Sequence, residues 1–132
     1  MDRVFLDANI LVSVAWKSVT RVHALWALTD IERLTSTYAI TEAVRNVLTT
    51  ERQARLFRAI QHVRIVDDPS RIDLPAGVRL AAKDAPILAA AIQAGASHLL
   101  TGDVTHFGPL YGKTLQGVHV LRPNDYLISR GL

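Results

Sequence analysis

The chain has no cysteine, which excludes a disulfide framework and any zinc site built on thiolates. It also lacks a long apolar run: nothing approaches the roughly 18–20 uninterrupted apolar residues that a membrane helix needs. Asp2 and Arg3 lead straight into an apolar stretch, leaving no room for a signal segment at this end. A cytoplasmic location is therefore the expectation. No repeat, low-complexity tract or linker interrupts the sequence, so one domain over 1–132 is expected. Neither a Ser–His–Asp set nor a thiol nucleophile is evident, and attention passes to the carboxylates.

What is present is a chain 49% hydrophobic and 20% charged, long enough at 132 residues to bury a real core. Fifteen basic side chains face twelve acidic ones, a net charge of +3. The basic excess lies in residues 1–66, with nine basic and six acidic residues. If four acids are committed to a metal, the remaining eight face fifteen bases, a net +7 that would attract a polyanion. A mildly basic protein with no such partner fits the charge equally well.

Val4-Phe5-Leu6 reads as a strand buried on both faces, since a one-faced strand would alternate. Helical spacing follows at 10–16 and 20–28, with Thr20 as a cap, and a second strand is expected at 33–37. Ile40, Ala43, Val44, Val47 and Leu48 mark an amphipathic helix over 39–48. Another helix is expected over 51–60 with Ala54, Phe57 and Ile60 inward, then a strand at 62–66 and a short helix over 76–82. Asp84-Ala85-Pro86 opens an alanine-rich helix that ends at Gly95. Strands at 97–101 and 118–121 and a helix at 123–128 complete the pattern. Strands alternating with helices predict an α/β fold with a parallel sheet covered on both faces.

In such a sheet, acids at strand ends share one rim, where ligands bind. Asp7 ends the first strand, Asp103 follows the fourth, and Asp84 opens the helix that feeds the fourth. Glu42 is placed in the first turn of the helix after the second strand. Four like charges on one rim repel unless a cation compensates. Mg²⁺ or Mn²⁺ suits such a set of oxygen ligands, acidifies water and neutralises phosphoryl charge. Each acid also has a plainer use: Asp7, Asn9 or Asp84 as a helix cap, Asp103 in a turn, Glu42 favoured by the helix dipole.

Phe5-Leu6-Asp7-Ala8-Asn9-Ile10-Leu11, Thr41-Glu42-Ala43, Lys83-Asp84-Ala85-Pro86-Ile87-Leu88-Ala89-Ala90-Ala91 and Leu99-Leu100-Thr101-Gly102-Asp103 with Phe107 together resemble the PIN domain. That family contains metal-dependent ribonucleases, including the VapC-type toxins of bacterial toxin–antitoxin pairs. The resemblance implies a three-layer α/β/α sandwich with a five-stranded parallel sheet. It implies catalytic acids at Asp7, Glu42, Asp84 and Asp103, with Asp7, Asp84 and Asp103 as ligands of Mg²⁺ or Mn²⁺. Asn9 and Thr101 match the family's supporting polar residues. Many members carry a further acid just after the last aspartate, where this chain has Val104-Thr105-His106; that departure bears on a second metal, not on the first.

The implied reaction is hydrolysis of an RNA phosphodiester by water attacking in line. Arg52, Arg55 and Arg58 form a candidate phosphate track, joined by Arg45, Lys83 and His106, with a merely solvated helix face as the alternative. Trp16 and Trp26 read as core or interface. A cognate antitoxin and a homodimer formed through the N-terminal helices are the implied partners. Two other readings stand beside this one. A PIN-like module could bind nucleic acid or protein without cleaving. A phosphotransfer domain could use Asp7 as nucleophile, but it would want a second aspartate where Asn9 stands.

Overall fold

Val4, Phe5 and Leu6 are all fully buried, and the surrounding architecture explains why. They lie in β1 (Asp2–Leu6) of a six-stranded sheet. Val4 and Leu6 join the apolar cluster on one face, whereas Phe5 joins the cluster on the other. Burying side chains of this size contributes about 1.5–3 kcal/mol each. The computed structural model describes residues 1–132.

Helix α1 (Ala8–Val14) follows β1 directly, and a tight helical turn at Arg21–His23 leads into α2 (Ala24–Ala27). Next come β2 (Ile31–Ser36), α3 (Thr37–Arg45), α4 (Thr50–Ile60) and β3 (Arg64–Val66). A long irregular segment then reaches α5 (Ala85–Gln93) and β4 (His98–Leu100). The chain closes with α6 (Val104–Phe107), β5 (Thr114–Leu115), β6 (Val118–Leu121) and α7 (Pro123–Ser129). One core cluster draws on α1, α2, α4 and α7, the other on α5 and α6, and α3 contributes to both. This is the expected three-layer α/β/α arrangement.

The strand order is β3-β2-β1-β4-β6-β5. All pairings are parallel except β5 with β6. Five parallel strands thus match expectation, and the antiparallel sixth does not. Its hairpin turns at Gln116 and Gly117, both with positive φ (47° and 86°), as a two-residue turn requires. Glutamine is not a usual signal for that conformation. Between β1 and β4 the direction of winding reverses. Such a reversal leaves a crevice at the carboxyl ends of the two strands.

Three other expectations are corrected. No helix forms over 76–82: Gly77 turns the chain at φ +80°, and Val78 and Leu80 pack two apart against the core, as an extended segment does. Helix α3 begins at Thr37 because Ser36 Oγ accepts from Ala39 N at 3.1 Å, so Glu42 sits in the second turn rather than the first. In α4 the inward residues are Leu56, Ala59 and Ile60; Phe57 is exposed, as are Val44 and Leu48 near the end of α3. Those three fit helical spacing, but the α1 and β1 surface they would meet is already filled by Ala43, Val47 and Leu56.

Away from that crevice, at the other end of the sheet, His98 and His119 pair across β4 and β6 with stacked rings 5.8 Å apart. Burial pushes the His98 imidazole below its ordinary 6.5, against Asp2 and with help from His119 and Arg130. The unfolded chain therefore takes up a proton that the folded chain resists. This contribution is intact above about pH 6.5 and is lost as pH falls below it. Thermal melts at pH 7.5 and 5.5 should show the loss, and His98→Gln should reduce it; an unchanged pH dependence in the variant would refute the assignment.

Candidate metal centre

Asp7 caps α1, and its backbone N–H pairs with Leu100 O, which fixes the chain as it leaves β1. Asp7 is 5% exposed, and both carboxylate oxygens accept hydrogen bonds. Oδ1 accepts from Ala8 N at 2.7 Å, while Oδ2 accepts from Thr101 Oγ1 at 2.8 Å and Asn9 Nδ2 at 3.1 Å. Cap and site residue are therefore the same group. Burial raises the Asp7 carboxyl above its ordinary range; bonds from Thr101 and Ala8 oppose the rise, and the charges of Glu42 and Asp84 add to it.

Thr101 is fully buried at the end of β4. Its Oγ1 also accepts from Asn9 Nδ2 at 3.2 Å and Asp103 N at 3.1 Å. Asn9 Oδ1 accepts from Gly102 N at 2.8 Å. A β-carbon on Gly102 would meet Asn9 Oδ1 at 3.4 Å, so Asn9 packs directly against the chain leaving β4. This network locks β1 to β4 at the crevice.

Asp84 holds the cap position of α5 but makes no capping hydrogen bond. Its Oδ1 meets Lys83 Nζ at 3.0 Å. Its Oδ2 is buried with no hydrogen-bond partner, and His106 Nδ1, at 3.8 Å, is beyond bonding reach. The plain cap reading of Asp84 thus fails. Asp103 caps α6 through His106 N at 3.1 Å and bonds His106 Nδ1 at 2.8 Å. Burial works against the Asp103 charge, but the His106 bonds and nearby Lys83 outweigh it and hold the carboxyl below its ordinary range.

Asp7, Glu42, Asp84 and Asp103 line one cleft of about 630 Å³. Ligand atoms of Asp84, Asp103 and His106 lie within 4.8 Å of one another. A buried carboxylate oxygen without a donor, among further carboxylates, fits a hard divalent cation. Asp84 and Asp103 are the carboxylates close enough to share such an ion, and Asp7 and Glu42 line the same cleft.

Arg45, Arg52 and Lys83 also line the cleft. Arg55 does not: its Nε is bound to Ala15 O at 2.8 Å. Arg58 is exposed elsewhere, because each step of three residues turns a helix by about 300° and carries the third arginine off the face of the first. Trp26 is partly buried, donating to Ala59 O at 3.0 Å. Trp16, expected in a core or interface, is instead 50% exposed on the cleft wall. Two contributors escaped the sequence. Asn46 lines the cleft one turn beyond Glu42. Tyr38 donates to Lys83 O at 2.6 Å, and burial together with Glu42 pushes its phenol up to about 12. Its i, i+4 spacing to Glu42 was the available signal.

Fold and site define an α/β/α domain with an acid cluster at the reversal point of a parallel sheet. The chain belongs to the PIN-domain family, whose model matches residues 3–105. PIN domains are in general nucleases that work with divalent ions. No curated protein sequence matches the chain. Among solved structures, the fold is similar to VapBC2 from Rickettsia felis bound to a DNA fragment from their promoter. That match has a TM-score of 0.70 and 17% identity, over 91% of this chain and 98% of that one. It is similar too to VapBC-1 from nontypeable Haemophilus influenzae, with a TM-score of 0.63 and 14% identity over 92% and 98%. A third is VapC20 of Mycobacterium tuberculosis, a Sarcin-Ricin loop cleaving toxin, with a TM-score of 0.56 and 16% identity over 77% and 91%. No helix is long and apolar enough to cross a membrane.

Proposed function

We propose that this PIN domain is a Mg²⁺- or Mn²⁺-dependent endoribonuclease and the toxin of a VapC-type toxin–antitoxin pair. The observation that carries the reading is the buried, unpartnered Asp84 Oδ2 in a cleft shared with Asp7, Glu42 and Asp103. A divalent ion, if held there, would supply acidification of water and offset of charge on the phosphoryl oxygens. Asp7 is kept in place by Thr101, Asn9 and Ala8, so its orientation is set before substrate arrives. Glu42, half-buried at the edge, is positioned to take the proton of the attacking water. A new P–O bond forms as the bond to the leaving ribose oxygen breaks. Arg45 on the cleft wall offers its guanidinium to a neighbouring phosphate.

VapBC and FitAB assemblies among the similar structures support a small antitoxin partner, and the reading includes a homodimer. The test is incubation of structured and unstructured RNA with the protein in Mg²⁺ or Mn²⁺, and again with a chelator. Metal-dependent internal cleavage is expected. RNA that is bound but never cut under any of these conditions would replace the nuclease with the binding-only module.

A further inference from the structure

One face of α1 lines the cleft from end to end: Ala8, Asn9, Val12, Ser13 and, just past the helix, Trp16. The carboxylates lie at its N-terminal end, and Trp16 lies nine residues on from Asp7, a rise of about 13 Å at helical pitch. Beside Trp16 the cleft changes character. The Arg52 guanidinium lies over the indole, 3.7 Å from the ring centroid. Arg52 makes no ion pair, its side chain forms no hydrogen bond, and its Nε is buried without an acceptor. Arg55, one turn along α4, binds Ala15 O at 2.8 Å and so fixes the residue before the tryptophan. The ring is half exposed, covered on one face by the Arg52 guanidinium.

We propose that Trp16 and Arg52 form a nucleobase subsite, a stacking platform for an unpaired base displaced from the cleaved linkage; this rests on the nuclease reading above. A flat aromatic with a planar cation stacked over one face suits a base, since stacking on aromatics and guanidinium planes is how single-stranded RNA is gripped. The same pair suits a protein partner less well. The platform opens into a polar cleft with carboxylates at its far end, and only three of the thirteen residues lining it are hydrophobic. A strand with its phosphodiester at the carboxylates and a base on the indole would fill both ends at once. The platform therefore selects for unpaired sequence, because a base locked in a duplex cannot reach an indole face.

Fluorescence tests this directly. The chain has two tryptophans, so Trp26→Phe leaves Trp16 as the reporter, and Asp84→Asn prevents consumption of the RNA. Adding a short single-stranded oligoribonucleotide should quench Trp16, whereas a blunt duplex of the same sequence should not. Trp16→Ala should weaken single-strand binding roughly ten- to hundredfold, Trp16→Phe far less, and Arg52→Ala by an intermediate amount. Tight binding with unquenched Trp16 and an unaffected Trp16→Ala variant would overturn the subsite while leaving the nuclease intact. Failure of the wild-type protein to bind or cut any RNA in Mg²⁺ or Mn²⁺ would overturn the nuclease reading itself. Loss of a protein partner alone in Trp16→Ala would reassign the face to protein contact.

Discussion

Asp84→Asn is expected to abolish RNA cleavage while making the metal-free protein more stable. The carboxylate is buried, its Oδ2 has no donor, and its ion pairs run to a largely exposed lysine at 3.0 Å and to His106 at 3.8 Å, pairs that contribute little. Removing a buried charge of that sort relieves its desolvation. The gain should be about 1 kcal/mol, or roughly 4 °C in melting temperature at this chain length. Cleavage should fall by more than about a hundredfold, since even outer partners of metal ligands cost ten- to a hundredfold. Added Mn²⁺ should raise the melting temperature of the wild type by mass action and leave the variant unmoved. Melts with and without metal, beside a cleavage assay, decide it. A variant that still cuts RNA, or that melts lower than wild type without metal, removes Asp84 from the role assigned to it.

Thr101→Val should damage stability and activity together. Valine matches the shape of threonine but has no hydroxyl. The hydroxyl donates to Asp7 Oδ2 and accepts from Asn9 and from the Asp103 backbone. Its loss strands buried polar groups, at a cost of about 1–3 kcal/mol. It also frees Asp7 and Asp103 from their shared orientation, for an expected ten- to hundredfold fall in cleavage. Thr101→Ser, which keeps the hydroxyl, should recover most of the activity. Wild-type melting and cleavage in the valine variant would show that the network does not organise the cleft.

The sequence made the sheet legible where burial dictates composition. Val4-Phe5-Leu6 could only be a strand covered on both faces, and the strand-end acids then shared a rim by topology alone. Asp84 was legible as a residue but not as a choice between cap and ligand; only the absence of a capping bond separates those. Phe57 and Ala54 were placed inward because periodicity reports that a helix has an apolar side, not which neighbour fills it; Leu56 won the place against β1 and α1. Thr37 was read as strand because Ser36 is both strand end and cap, and that concealed where Glu42 falls on its helix. Tyr38 and Trp16 were hidden for a different reason. Their parts depend on Lys83 and Arg52, which lie 45 and 36 positions away, and no local pattern encodes a contact of that range.

The lock between β1 and β4 also sets the order in which the molecule comes into being. Arg3 meets Ser97 across 94 positions, and Asp7 waits equally long for Thr101. A growing polypeptide displays Asp7 early, but the cleft has no floor until β4 has left the ribosome and docked beside β1. Non-local pairing of this kind is slow to form. Chains not yet extended past Asp103 therefore carry no assembled carboxylate cluster.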